Sequence, residues 1–227
     1  MEAQSTGASV GTIAIRNGRA ESGLTEGKYT SVILTKKMMP TAPAEMRRKN
    51  MKPECRSATP NYFFTADEHY FHQNILKYTQ RPFTTVEEMN EELIRRHNEV
   101  VGKNDTVIHA GDFALAAKKK VGEIIEQLNG YHVFLQGSHD KWGTNLPFLW
   151  ERKIGDVYVV VCHYPMLSWP RSHYGSIMLH GHSHGRLTNP PDRVLDIGVD
   201  PWDYYPVGLD EIRRWVEAWG KHGRDQG

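Results

Sequence analysis

The feature that most limits how this chain can fold is a set of five short His- and Asp-rich motifs, each following an apolar run of strand length. In order they are Asp67-Glu68-His69, Gly111-Asp112, Gly137-Ser138-His139-Asp140, the lone His163, and Gly181-His182-Ser183-His184. The runs that precede them cover residues 62–66, 106–110, 131–135, 157–161 and 176–179. Groups so far apart in sequence act together only when rigid strands bring their ends to one place. Buried Asp and His at so many strand ends need partners, because an unpaired polar group in the interior is costly. Carboxylates and imidazoles without thiolates suit catalytic divalent cations better than a closed structural zinc knot.

Between the strand-like runs the period changes to that of helices. Thr85 and Glu88 form a capping box, and Met89, Leu93, His97 and Val100 or Val101 make the apolar face that follows. Val121, Ile124, Ile125 and Leu128 form a second stripe, with Gly130 suited to the cap beyond it. A sixth strand is expected over residues 194–197. A last helix from about 209 to 219 buries Ile212, Trp215, Val216 and Trp219. This alternation predicts an α/β domain over residues 59–220. Residues 1–58 are rich in Ser, Thr, Gly, Ala, Lys and Arg and read as a disordered leader or an over-extended start. Within them only residues 31–35 resemble a strand, and residues 221–227 read as a flexible tail.

Composition narrows the function classes. A chain of 227 residues is long enough for one domain with a real core. The formal net charge of +1 gives no strong sign of nucleic-acid binding and none of membrane attraction, so any pull on an anionic substrate must be local. The two cysteines, Cys55 and Cys162, do not suggest a disulfide framework. No apolar run is long enough to span a bilayer, and the first residues do not read as a signal peptide, so a soluble cytoplasmic protein is expected.

Two cations in one site need about four to six oxygen or nitrogen donors each, one of them shared. A carboxylate shares best, and Asp112 is the candidate bridge. Gly111 before it frees space where the strand turns. Asp67 and His69 are two residues apart, so in an extended strand end they point the same way; His182 and His184 repeat the spacing.

These motifs resemble those of the calcineurin-like metallophosphoesterase superfamily: Asp-x-His, Gly-Asp, Gly-Asn-His-Asp/Glu, His and Gly-His-x-His. The likeness covers residues 62–215. Within the superfamily the chain is similar to small stand-alone bacterial and phage phosphoesterases, which carry an Asp-x-His-aromatic-x-His-x-Asn segment, here Asp67 to Asn74, and an Arg-Pro-Phe turn, here Arg81-Pro82-Phe83. The resemblance implies a four-layer α/β sandwich of two mixed β-sheets flanked by helices. It implies that Asp67, His69, Asp112 and His184 hold one divalent metal and that Asp112, His163 and His182 hold a second. Manganese suits this set, as do iron, nickel, cobalt and zinc. His139 is then the general acid or a donor to phosphate, and Asp140 orients it. The implied reaction is in-line attack of a metal-bound hydroxide on a phosphoester. A phosphodiester is favoured, with nucleotides among the candidate substrates, because no cap domain closes the site. Where the family has Asn, this chain has Ser138, a shorter and weaker neutral donor that is expected to lower affinity for the second metal.

Two further readings stand beside the phosphodiesterase: a nuclease acting on nucleic-acid ends, and a metal-binding pseudoenzyme weakened by Ser138. His72, Asn74 and Arg81 are candidates for touching substrate. His109, His132, His97 and His173 read as structural, and His180 as support for the neighbouring ligands. Lys118-Lys119-Lys120 reads as a solvated helix start. Asp196 and Asp200 are expected to satisfy loop backbone, and Trp202, Tyr204 and Tyr205 to pack. The sequence fixes no oligomeric state.

Overall fold

The computed structural model describes residues 61–224. The segment 1–58, including the strand-like run at 31–35, lies outside the described residues, as do 59–60 and 225–227.

Eight strands form two sheets: β1 (Tyr62–Thr65), β2 (Thr106–His109), β3 (Tyr131–Phe134), β4 (Leu149–Ile154), β5 (Val157–Cys162), β6 (Ile177–His180), β7 (Val194–Asp196) and β8 (Val207–Gly208). One sheet has the order β3-β2-β1-β8, the other β4-β5-β6-β7. Each is mixed. β1, β2 and β3 run parallel with β8 antiparallel at the edge, and β5, β6 and β7 run parallel with β4 antiparallel at the edge. The two sheets share one core. Phe64, Ile108 and Val207 of the first meet Val159, Val161, Ile177, Leu179 and Leu195 of the second.

Helices α1 (Ile75–Tyr78), α2 (Val86–Val100) and α3 (Lys118–Ile125) build a second cluster beside the first sheet, in which Met89, Leu93, Val121 and Ile124 gather with Phe113 and Phe134. Val101, at the end of α2, is the fully buried one of the two valines expected there. On the second sheet's other face Val160, Cys162, Met178 and Val194 are covered by Met166 and Trp169. Helix α4 (Leu209–Arg224) inserts Leu209 and Ile212 into the shared core and runs past its expected end near 219. The expected sandwich of two mixed sheets flanked by helices is therefore present. Among the described residues no helix is long and apolar enough to cross a membrane.

Sequence periodicity missed β4 and β8. β4 alternates poorly, with three exposed residues in its middle, and is set by its hairpin with β5. Gly155 takes φ +61 in the two-residue turn between Ile154 and Val157, a conformation that favours glycine. β8 is two residues long and is defined only by pairing with β1. The parallel strands matter most for the site. The chain leaves β1, β2, β3, β5 and β6 directly into the five motifs, so all five gather at the C-terminal edge of the sandwich.

Candidate metal centre

The five motifs converge. One ligand atom each from Asp67, His69 and His184 lie within 4.8 Å of one another, and so do those of Asp112, His163 and His182. The two clusters meet at one atom. Asp112 Oδ2 stands 3.7 Å from His69 Nε2, 3.4 Å from His163 Nε2 and 4.0 Å from His139 Nε2.

Several of these groups are aimed inward with nothing to meet. Asp67 Oδ2, His69 Nε2 and His163 Nε2 are buried and have no hydrogen-bond partner. Hydrogen bonds on the far side of two rings fix which nitrogen is bare. His163 Nδ1 lies 3.0 Å from the Ala110 carbonyl, which only accepts, so Nδ1 carries the proton and Nε2 offers a lone pair. His184 Nδ1 likewise donates to Asp200 Oδ2 at 2.7 Å. Burial holds His69 neutral, lowered to about 2, and lowers His182 below its ordinary value. Burial, reinforced by Asp196, raises Asp67 well above the usual carboxylate range. Neutral imidazoles, one carboxyl that resists charging alone and one that, despite burial, the surrounding imidazoles hold below the usual range are donors a cation would complete, and the residues present fit a pair of divalent ions.

The backbone achieves this by an unexpected route. Asp67 and His69 are not extended. Both are left-handed, at φ 58° and 55°, as are Asp112, His182 and His184 at 54°, 68° and 48°. Left-handed non-glycine residues store strain and persist only where surroundings hold them. Here the loop after β1 is tied to the loop after β2: Asp67 N–H donates to the Gly111 carbonyl and His69 N–H to the Asp112 carbonyl, both at 3.0 Å. The shared direction of Asp67 and His69 thus comes from paired turns and not from strand alternation.

Several sequence expectations need correction. Asp140 makes no hydrogen bond to His139 among the described residues. Its carboxylate accepts from the N–H groups of Asp112 (2.7 Å), Phe113 (2.9 Å) and Gly137 (3.0 Å) and from Trp142 Nε1 (2.9 Å), so it shapes the loop that presents Asp112. Arg81, expected to touch substrate, is turned inward in this structure. It is 4% exposed, and its guanidinium is spent on Asp200 and on the carbonyls of Asp67 and Glu68. Asp200 does not serve loop backbone but pairs with Arg81 and His184. Burial pushes its carboxyl up, yet the bonds to His184 and Arg81 outweigh that and hold it below the usual range. The space at Gly111 serves the protein itself, since a Cβ there would lie 2.7 Å from Gly137 Cα and 2.8 Å from His163 Nδ1.

Other expectations take a definite place. His139 is half exposed beside the clusters, its ring centroid 5.4 Å from that of His69 and 5.3 Å from that of His72. Its N–H donates to Asp112 Oδ1 at 2.8 Å. Ser138 Oγ donates to the same carboxylate, 3.0 Å from Oδ2 and 3.2 Å from Oδ1. His72 Nδ1 lies 3.2 Å from His69 Nδ1. Asn74 is an exposed N-cap of α1 without a side-chain cap bond. Asp196 accepts from the N–H groups of Gly185 and Gly198, as expected, and His180 Nδ1 donates to the Gly181 carbonyl. Trp202 and Tyr204 pack, the latter against Phe83. Cys162 is a buried free thiol. His109 joins an unforeseen buried chain, with Nδ1 2.7 Å from Glu68 Oε1 and Nε2 3.0 Å from His132 Nδ1.

Fold and site together define a two-sheet α/β protein with a double carboxylate–imidazole centre at one sheet edge. The chain is 36% identical over 163 residues to the uncharacterized protein MJ1445 of Methanocaldococcus jannaschii, covering 68% of this chain and 90% of that relative, and it belongs to that protein's family. No protein-family model matches it. Among solved structures it is similar to the protein of unknown function AQ665 from Aquifex aeolicus, with TM-score 0.56, 20% identity, and coverage of 69% of this chain and 99% of that one. That likeness is one of fold. Weaker likenesses include a predicted phosphoesterase from Streptococcus pneumoniae, with TM-score 0.38, 16% identity, and coverage of 63% and 73%. Another is Vps29 complexed with zinc from Entamoeba histolytica, with TM-score 0.37, 18% identity, and coverage of 60% and 73%. Overlap of that extent ties neither activity nor ligand to this chain.

Proposed function

We propose that this protein is a metal-dependent phosphoester hydrolase of the calcineurin-like metallophosphoesterase type, acting on small or nucleotide-type phosphodiesters with two divalent cations. The observation that carries the reading is the convergence of His69 and His163 from two clusters on Asp112 Oδ2, with buried, unpartnered donor atoms on both sides. Asp67, His69 and His184 would hold one cation and His163 and His182 the other, with Asp112 between them. Such cations lower the pKa of bound water and offset charge on phosphoryl oxygens.

The chain's own groups complete the chemistry. His139, half exposed and 4.0 Å from Asp112 Oδ2 through Nε2, would give a proton to the leaving oxygen. If His69 presents Nε2 inward, its Nδ1–H donates to His72 Nδ1, and His72 then carries its own N–H at Nε2. His182 is exposed, and Tyr164 beside it is 44% exposed, so that side of the centre leaves room for a second ester arm. This openness supports a diester over a monoester.

The test is a matrix of manganese, zinc, cobalt, nickel and iron against aryl monoesters, aryl diesters, cyclic nucleotides and oligonucleotides, with Asp112→Asn as control. Metal-dependent cleavage of diesters is expected, falling by at least about 100-fold in the variant. Activity surviving Asp112→Asn would refute the shared role of that carboxylate. Steeply salt-dependent cleavage confined to oligonucleotides would favour the nuclease. One observation favours the pseudoenzyme: Ser138 Oγ hydrogen-bonds both oxygens of Asp112, occupying lone pairs that a cation would use. Metal binding without turnover on any substrate would establish that reading.

A further inference from the structure

A single buried guanidinium ties the first motif to the last. Arg81 Nη1 donates to the Glu68 carbonyl at 2.8 Å, and Nη2 donates to the Asp67 carbonyl at 2.7 Å. The same group grips both oxygens of Asp200, Nε at 2.9 Å and Nη2 at 2.8 Å, across 119 positions of sequence. Asp200 Oδ2 then receives the Nδ1–H of His184 at 2.7 Å. A buried charge is costly unless its hydrogen bonds are met, and these oxygens meet them. Asp67, His69 and His184 therefore stand on one frame.

The other cluster stands on different supports. The Ala110 carbonyl orients His163, and Asp140 holds the backbone at Asp112. Among the described residues no hydrogen bond joins Arg81 or Asp200 to Asp112, His163 or His182. The frames touch through backbone N–H groups: His182 N–H donates to Asp67 Oδ1, His69 N–H to the Asp112 carbonyl and Asp67 N–H to the Gly111 carbonyl, each at 3.0 Å, and none of these bonds involves Arg81 or Asp200.

We infer that Arg81 and Asp200 are positioning residues for one cation site only, so that the two cations bind with separable affinities. This rests on the two-cation reading above. A carboxylate on the far nitrogen of a ligating histidine fixes the ring and raises its basicity, and its loss costs about 10–100-fold in metal affinity. Arginine is required because a lysine, as a point charge, cannot span these oxygens.

Manganese titration of the full chain by calorimetry tests this in two backgrounds. His163→Ala leaves the Asp67–His69–His184 cluster, and His69→Ala leaves the other. Adding Asp200→Ala should weaken binding by about 10–100-fold in the first background and by less than about twofold in the second. Asp200→Asn should restore part of the loss, because its amide oxygen still accepts the Nδ1–H. Should Asp200→Ala fail to fold, Arg81→Lys carries the same expectation. Equal losses in both backgrounds, or none in the first, would overturn the inference. Wild-type protein that binds none of manganese, zinc, cobalt, nickel and iron would sink this inference and the hydrolase reading together; if it binds another of them and not manganese, the same two-background titration is run with that metal. Selective loss in a protein that hydrolyses nothing would support the inference and sink the hydrolase reading alone.

Discussion

Asp112 is enclosed by the third motif, and each neighbour there has a different task. Gly137 gives it room: a Cβ at that position would overlap Asp112 N and Oδ1. Asp140 fixes its backbone, and Ser138 donates to its side chain. The residue types were legible, but their bonds were not. The family resemblance implied that Asp140 orients His139, whereas the carboxylate turns to the N–H groups of a sharply bent loop, whose needs no motif records. Arg81 was equally hidden. An Arg before Pro suits a surface turn, and only the fold carries Asp200 to it. Ser138→Asn tests this scale. Exchanging the hydroxyl for an amide carbonyl is expected to raise manganese affinity and turnover by up to about tenfold, the size of one change around a metal ligand. Identical affinity and rate in the two forms would refute that.

At the scale of elements, α2 and α3 were readable because helical spacing exposes the apolar face whatever lies opposite. The Thr85 cap forms as expected, its Oγ accepting the Glu88 N–H at 3.1 Å. The return bond is displaced by one residue, since Glu88 Oε2 accepts from Thr84 N–H at 2.7 Å. Thr85→Ala should cost about 1 kcal/mol in urea unfolding, without altering metal binding. A cost near zero would mean that the Glu88–Thr84 bond alone caps the helix. β4 and β8 escaped notice for the opposite reason: an edge strand need not alternate, and a two-residue strand exists only through its partner. The Lys118-Lys119-Lys120 run is the exposed first turn of α3, as expected.

The whole molecule carries a cost that no single element shows. Burial between α2 and the first sheet holds His97 and His109 neutral, each lowered to about 3. In the unfolded chain these rings titrate near 6.5. Between the two values the unfolded state binds protons that the folded state refuses, so the contribution of these rings to stability is complete above about pH 6.5 and is lost as pH drops toward 3, while Glu68, raised by burial to about 8, acts in the opposite sense as pH rises above 4.5. Each ring contributes a slope of up to about 1.4 kcal/mol per pH unit. Urea midpoints measured from pH 7.5 to 4.5 should therefore fall with acidity, and His97→Gln should flatten the curve by about one proton. An unchanged slope would show that His97 does not carry this dependence. The sequence by itself determined the α/β alternation, the strand ends at which chemistry would sit, and the donor types there, because side-chain identity and apolar period are local properties. Only the tertiary structure decided the left-handed turns that aim Asp67 and His69, the inward Arg81–Asp200 tie, and the turn of Asp140 to the loop that presents Asp112. Those depend on which loops the sheets bring within hydrogen-bond reach, a distance in space that separation along the chain does not encode.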